Sequence, residues 1–140
     1  GRRSVIEDYS IVNNAMGDIV IGNNCRVGIS TLVLGPIELK DNVNIAQHVV
    51  LLGFDHDYQD IASEPHKQKI LTQKIVLNEN VWIGANSVIL PGISVGRNSL
   101  IGAGSVVTRD VPPYCAAVGN PARIVKRYDF EKKEWVRNNI

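Results

Sequence analysis

At 140 residues and 44% hydrophobic, the chain can bury one packed core and fits a single domain spanning 1–140. Its 15 Lys and Arg against 14 Asp and Glu leave a formal net charge of +1, which gives no reason to expect a nucleic-acid partner. No apolar run approaches the roughly 18 residues of a membrane span, and no signal peptide is visible.

Residues 1–17 show no clean period and are expected to form a lead-in or cap. From Ile21 the chain falls into sixes that open on Ile21, Val27, Val33, Leu39, Ile45 and Leu51. Their fifth places hold Cys25, Thr31, Ile37, Val43 and Val49, all small or β-branched except Cys25, which reads as core. The 26 residues from Leu51 to Leu77 are not divisible by six, so residues 52–76 must carry something that loops out. A long irregular stretch set between two well-phased blocks points to a working loop. This one holds aromatic residues, acids and two of the three histidines.

The phase then resumes without a slip as LNENVW IGANSV ILPGIS VGRNSL IGAGSV VTRDVP, residues 77–112. Neither a 3.6-residue helix period nor simple strand alternation gives a strict six, whereas a parallel β-helix of hexapeptides does. In extended backbone, places five and one lie on the same side and face the core. The residue between them (Trp82, Val88, Ser94, Leu100, Val106) must face outward. Gly and Asn at places two and four tolerate the positive φ that turns a corner. Three sides make a coil of eighteen residues, which stacks Leu77 on Val95, Ile83 on Ile101 and Ile89 on Val107.

Pro112 and Pro113 end the regular sixes, since neither ring nitrogen can donate to a ladder. Beyond them VGNPAR reads as one further irregular turn, and Arg123, Lys126 and Arg127 form a basic cluster. In the tail, 128–140, a short helix is predicted from Asp129, with Asp129 as its N-cap and Phe130 and Trp135 packing on the coils. Cys25 and Cys115 lie in unlike settings, which suggests free thiols in a reducing, cytoplasmic setting rather than a disulfide.

NVWIGANSVILPGISVGRNSLIGAGSVVTRDVPP followed by VGNPARIVKR closely resembles the hexapeptide-repeat acetyltransferases. More narrowly it is similar to the sugar and polysaccharide O-acetyltransferases related to galactoside and maltose acetyltransferases. The resemblance covers residues 18–127 and is most specific over 80–127. It implies a left-handed parallel β-helix, an exception to the usual right-handed crossover; with the protruding loop and the short helical tail read above, the chain is expected to be all-β. It also implies a homotrimer that transfers acetyl from acetyl-CoA in clefts between neighbouring prisms; no metal is expected.

By the same resemblance His56, in GFDHDYQD, is the general base. A neutral imidazole, with an ordinary pKa near ~6.5, suits proton abstraction from a hydroxyl. Asp55, Asp57 or Glu64 could orient it, and Tyr58 and Asp60 could line the acceptor pocket. Related enzymes carry an Asn in an earlier coil where this chain reads CRVGIS, which leaves Ser30 or a backbone N–H as the oxyanion donor. Outward-facing Trp82 is expected at the thioester end, with the cofactor arm running past Gly84, Ala85, Gly102 and Ala103. Ala85, Ala103, Thr108 and Arg109 match cofactor-contacting residues, and Arg123 and Lys126 match basic residues that meet the nucleotide end of CoA, where fixed cations can bind phosphate.

The expected reaction is direct O-acetyl transfer to a small-molecule or saccharide hydroxyl, without an acyl-enzyme. Transfer to an amino sugar or an antibiotic, a non-catalytic scaffold, and a γ-class carbonic anhydrase are the alternatives. The last would bind zinc through three histidines. Here His48, His56 and His66 are spaced by eight and ten residues, and two of them share one loop.

Overall fold

A computed structural model describes residues 1–138, in which short strands wind as a parallel β-helix with three faces. The first coil holds β1 (Val5–Ile6), β2 (Ile11–Asn13) and β3 (Ile19–Ile21), and the second β4 (Arg26–Val27), β5 (Leu32–Leu34) and β6 (Ile37–Leu39). The third coil starts with β7 (Asn44–Ile45) and β8 (Val50–Leu52). It then leaves the prism through β9 (Phe54–His56) and β10 (Ile70–Thr72) and closes with β11 (Ile75–Leu77). The fourth is β12 (Trp82–Ile83), β13 (Val88–Ile89) and β14 (Ser94–Val95). The fifth is β15 (Leu100–Ile101), β16 (Val106–Val107) and Val111, which bridges to Val95. Strand β17 (Cys115–Gly119) begins a sixth coil, and β18 (Ala122–Asp129) and β19 (Glu134–Arg137) fold back on it antiparallel.

The register follows from the six-residue phase. Leu77 pairs with Val95, Ile83 with Ile101 and Ile89 with Val107. Face one stacks β1, β4, β7, β12, β15 and β17; face two stacks β2, β5, β8, β13 and β16; face three stacks β3, β6, β11 and β14. Side chains at places five and one fill the prism. The first places are aliphatic, with Val27, Ile45, Ile83 and Ile101 0% exposed. The fifth places include the buried hydroxyls of Thr31, Ser87, Ser99 and Ser105, which donate to backbone carbonyls. The corners behave as the Asn and Gly pattern requires. Asn24, Asn42, Asn80 and Asn98 hold φ of 55°, 61°, 58° and 55° at one edge. There Asn24 Nδ2 donates to Asn42 Oδ1 at 3.1 Å and Asn80 Nδ2 to Asn98 Oδ1 at 2.8 Å.

Three boundaries differ from the sequence reading. Residues 1–17 are no irregular lead-in: they contribute two strands of a genuine coil. Ile6 pairs with Val27, 21 residues on, where later coils need eighteen. Three extra residues at the corner before β3 throw this coil out of phase and hide it. The excursion is also narrower than 52–76, because Leu52 and Ile75–Leu77 stay in the stack.

The tail is the third difference. No helix starts at Asp129; the chain forms the β18–β19 hairpin instead. Asp129 Oδ1 accepts from the Glu131 and Lys132 amides at 2.9 and 3.0 Å, organising a reverse turn that Lys133 completes at φ 56°. Tyr128 then faces Trp135 across the ladder, and Phe130 packs edge-on to Tyr114 with ring centroids 4.9 Å apart. No helix among the described residues is long and apolar enough to cross a membrane.

Candidate functional site

The excursion is an antiparallel arm rooted at the corner between faces two and three. Its base is pinned to the prism: the Gly53 amide donates to the Leu34 carbonyl at 2.7 Å, and the Gln73 amide to the Gly53 carbonyl at 2.8 Å. Gly53 is required there, since a Cβ would lie 2.5 Å from the Pro36 nitrogen. Above this base Phe54 pairs with Thr72, Asp55 with Leu71 and His56 with Ile70, and the Asp57 amide extends the ladder to the Lys69 carbonyl.

Strand alternation therefore puts His56 on one side of the arm with Phe54, Ile70 and Thr72, and Asp55 and Asp57 on the other. The acids bond locally. Asp55 Oδ1 accepts from the His56 amide at 2.8 Å and Asp57 Oδ1 from the Gln59 amide at 3.0 Å. Glu64 accepts from Lys67 Nζ at 2.8 Å and lies 3.3 Å from His66 Nε2. Among the described residues, the exposed His56 imidazole has no hydrogen-bond partner. Tyr58, beyond the ladder, is 75% exposed.

A second set of residues lies on face one and at its corner with face two. Trp82 points outward, as its place in the six requires, between Asn44 and Leu100, and is 52% exposed. Gly84 and Gly102 are explained by the stack itself: a Cβ would sit 2.5 Å from the Ala103 nitrogen or from Val118 Cγ1. Ala85, Ala103 and Gly104 differ, because nothing lies within 4 Å of where a Gly104 Cβ would be. Ala85 is half-buried, and Ala103 and Gly104 are exposed at this corner. Ser30 stands lower on the same edge at φ 55°; its amide donates to the Asp8 carbonyl at 3.1 Å. His48 and Asn86 follow it at φ 55° and 57°.

At the far end of the prism, Arg109, Arg123 and Arg127 line a cleft of about 300 Å³ with Ala117 and Asn138. An adjoining recess of about 620 Å³ is lined by Arg123, Lys126 and Arg137. Among the described residues, no carboxylate pairs with any of these cations. Thr108 and Arg109 belong to the corner between faces two and three, two coils beyond the arm. Cys25 and Cys115 are free and buried, and burial pushes the Cys115 thiol above its ordinary pKa. Among the described residues, no group of three His, Cys, Asp or Glu is placed to hold a metal ion.

Within one chain the structure thus separates two groups. The arm leaves one edge of face two, while Ser30, Ala85 and Ala103 lie along its other edge. Between them runs a feature the sequence reading did not weigh: Ile11, Leu32, Val50, Val88 and Val106 stack in register on the outer surface of face two. The signal was present as aliphatic side chains at outward places, eighteen residues apart from Leu32 to Val50 and from Val88 to Val106.

A hexapeptide prism with an interrupting arm and a basic far end defines the class of hexapeptide-repeat transferases. The comparisons agree. Residues 74–109 match the model of the bacterial transferase hexapeptide (six repeats), and residues 18–52 that of the hexapeptide repeat of succinyl-transferase. Galactoside O-acetyltransferase of Escherichia coli K12 is 35% identical over 121 residues, covering 84% of this chain and 58% of that protein. A maltose O-acetyltransferase structure from Clostridium difficile 630 superposes with a TM-score of 0.80 at 33% identity, over 90% of this chain and 67% of that one. A hexapeptide-repeat acetyltransferase from Vibrio cholerae O1 biovar eltor, solved with acetyl coenzyme A, gives a TM-score of 0.73 at 28% identity, over 91% and 72%. This chain belongs to the hexapeptide-repeat acetyltransferase family. It spans little more than half the length of the E. coli relative.

Proposed function

We propose that this protein is an acetyl-CoA-dependent O-acetyltransferase acting on a hydroxyl of a sugar, nucleotide-linked sugar or polysaccharide precursor, as a cytoplasmic homotrimer. The E. coli and C. difficile relatives are named for O-acetyl transfer to sugars, and the V. cholerae relative was solved with acetyl coenzyme A. The observation that carries the reading is the arrangement about face two. A histidine stands on a rooted arm at one edge, and the small residues Ala85, Ala103 and Gly104 line the other. Cations with no carboxylate partner among the described residues gather at the far end of the prism. A second copy against face two joins the arm of one chain to the groove of the next.

In that cleft the pantetheine chain runs past Trp82, Ala85 and Ala103, with Gly84 and Gly102 keeping the wall flat. The phosphates meet Arg109, Arg123 and Lys126, beside Thr108, by charge-assisted hydrogen bonds. Ser30 and Tyr58 border the acceptor, while Asp55 and Asp57 lie on the side of the arm away from His56. The His56 imidazole takes the proton of the acceptor hydroxyl as its oxygen attacks the thioester carbonyl. The tetrahedral intermediate then collapses, the C–S bond breaks, and the proton passes to the departing thiolate. Two buried thiols, neither of them on the arm, support direct transfer without an acyl-enzyme.

The test is thiol release from acetyl-CoA against a panel of sugars and nucleotide sugars, with His56→Ala alongside. Removing a positioned general base costs roughly 10²–10⁴-fold. A variant as fast as the parent refutes the assignment of the base.

A further inference from the structure

Beyond its paired strands the arm continues through residues 57–69, a stretch far longer than the three-residue strands that lead into it. A two-stranded ribbon of that size is marginal by itself in water. Most of its side chains are exposed, and none reaches the core of the prism. One half-buried side chain closes it. Gln68 Oε1 accepts from the Asp60 amide at 3.3 Å, and Gln68 Nε2 donates to the Asp60 carbonyl at 3.0 Å and the Ser63 carbonyl at 3.1 Å. Its amide group exchanges two bonds with the Asp60 backbone, as a paired residue does in an antiparallel ladder.

The facing turn is built to receive it. Asp60 Oδ1 accepts from the Ala62 amide at 3.0 Å, Asp60 Oδ2 accepts from the Ser63 hydroxyl, and the Ser63 amide returns to the Asp60 carbonyl at 3.2 Å. These bonds hold the Asp60 carboxyl below its ordinary pKa. On the other side, the single 3-10 turn Pro65–Lys67 delivers Gln68, whose amide donates to the Pro65 carbonyl at 3.2 Å.

We propose that Gln68 is a positioning residue: by clasping Asp60 and Ser63 it holds residues 57–69 as a fixed wall beside His56 and so sets how the acceptor, not the acetyl donor, is held. This rests on the reading of His56 as the base at the acceptor end. The clasp has no part in the prism, because the arm is rooted independently through Gly53, Leu34 and Gln73. An unclasped loop must be ordered anew by each acceptor, and a small misplacement near a reacting group is costly in rate.

The experiment compares the full chain with Gln68→Met, which keeps the length of the side chain without its hydrogen bonds, and with Gln68→Ala. Amide exchange across 57–69, the melting midpoint, and separate kcat and KM values for acceptor and acetyl-CoA are read, with His56→Ala as reference. Expected are exchange in 57–69 at least ~10-fold faster and acceptor kcat/KM lowered by about 10- to 100-fold. The KM for acetyl-CoA and the melting midpoint stay at parental values. Faster exchange with unchanged acceptor kinetics overturns the proposal, as does exchange that does not change. A joint fall of donor binding and melting midpoint overturns it too, because the side chain would then be supporting the fold. A fully active His56→Ala refutes the base instead, and the exchange readout keeps that failure separate from the clasp's.

Discussion

Glu38, on the outward side of face three, accepts from Lys40 and, at 2.7 Å, from Lys74 Nζ. The two ammonium groups hold its carboxyl down to about 2 from an ordinary 4.5. A carboxyl depressed in the folded state binds a proton more readily once unfolded, so its contribution to stability is present in full above about 4.5 and is lost as pH falls towards 2. Urea midpoints measured at pH 6 and pH 3 are therefore expected to converge in Lys74→Met relative to the parent. Equal pH sensitivity in both would show that the pair contributes nothing. Inside the prism, apolar contact rather than charge decides. Ile83 is 0% exposed between Ile45 and Ile101, so Ile83→Ala removes buried contacts and leaves a void in the stack. A loss of about 2–5 kcal/mol is expected in urea unfolding. A loss under about 0.5 kcal/mol, the range of surface substitutions, would mean that the coils do not share one core.

The arm is an addition to the coil rather than part of it. Leu77 pairs with Leu39, 38 residues earlier, against eighteen for a plain coil, so a surplus of twenty residues leaves and re-enters at one corner. Because the Gln73 amide meets the Gly53 carbonyl, joining these residues through a short Asn-Gly turn should preserve the stack. That variant is expected to keep its β-sheet circular dichroism and melting midpoint while losing acetyl transfer. A collapse of the midpoint would make the arm part of the folding unit. The sequence reading located this interruption because two ladders of sixes bracket it. It identified the core because places five and one recur without exception on both sides. It missed the first coil because three added residues before β3 shift the phase, and it mistook the tail because Asp129 serves equally well as a helix N-cap or a turn former. That Asp55 and Asp57 lie on the face away from His56 is not legible in the sequence, since only the pairing of β9 with β10 fixes which side chains share a face.

At the scale of the whole molecule, the aliphatic row of Leu32, Val50, Val88 and Val106 is the feature a lone chain leaves unexplained. These side chains are half-buried in the single chain; if face two is the contact surface of the proposed homotrimer, its two borders are the arm and the edge that carries Ala85 and Ala103. Placing Lys at both Val50 and Val88 is expected to reduce the sedimenting species to the 15.4 kDa single chain and to abolish transfer, although His56 and the groove are untouched. Mixing then decides whether the site is shared. If His56 is the base and the cofactor arm passes Ala103, as proposed, His56→Ala and Ala103→Trp are each expected to be inactive alone. If each site takes its arm from one chain and its groove from the next, random reassembly restores about one quarter of the sites, since cyclic symmetry makes every interface equivalent. Activity should rise on mixing and should fail to rise when the double-Lys chain replaces either partner. No recovery from co-refolded mixtures would place arm and groove within a single chain and remove the role given to face two.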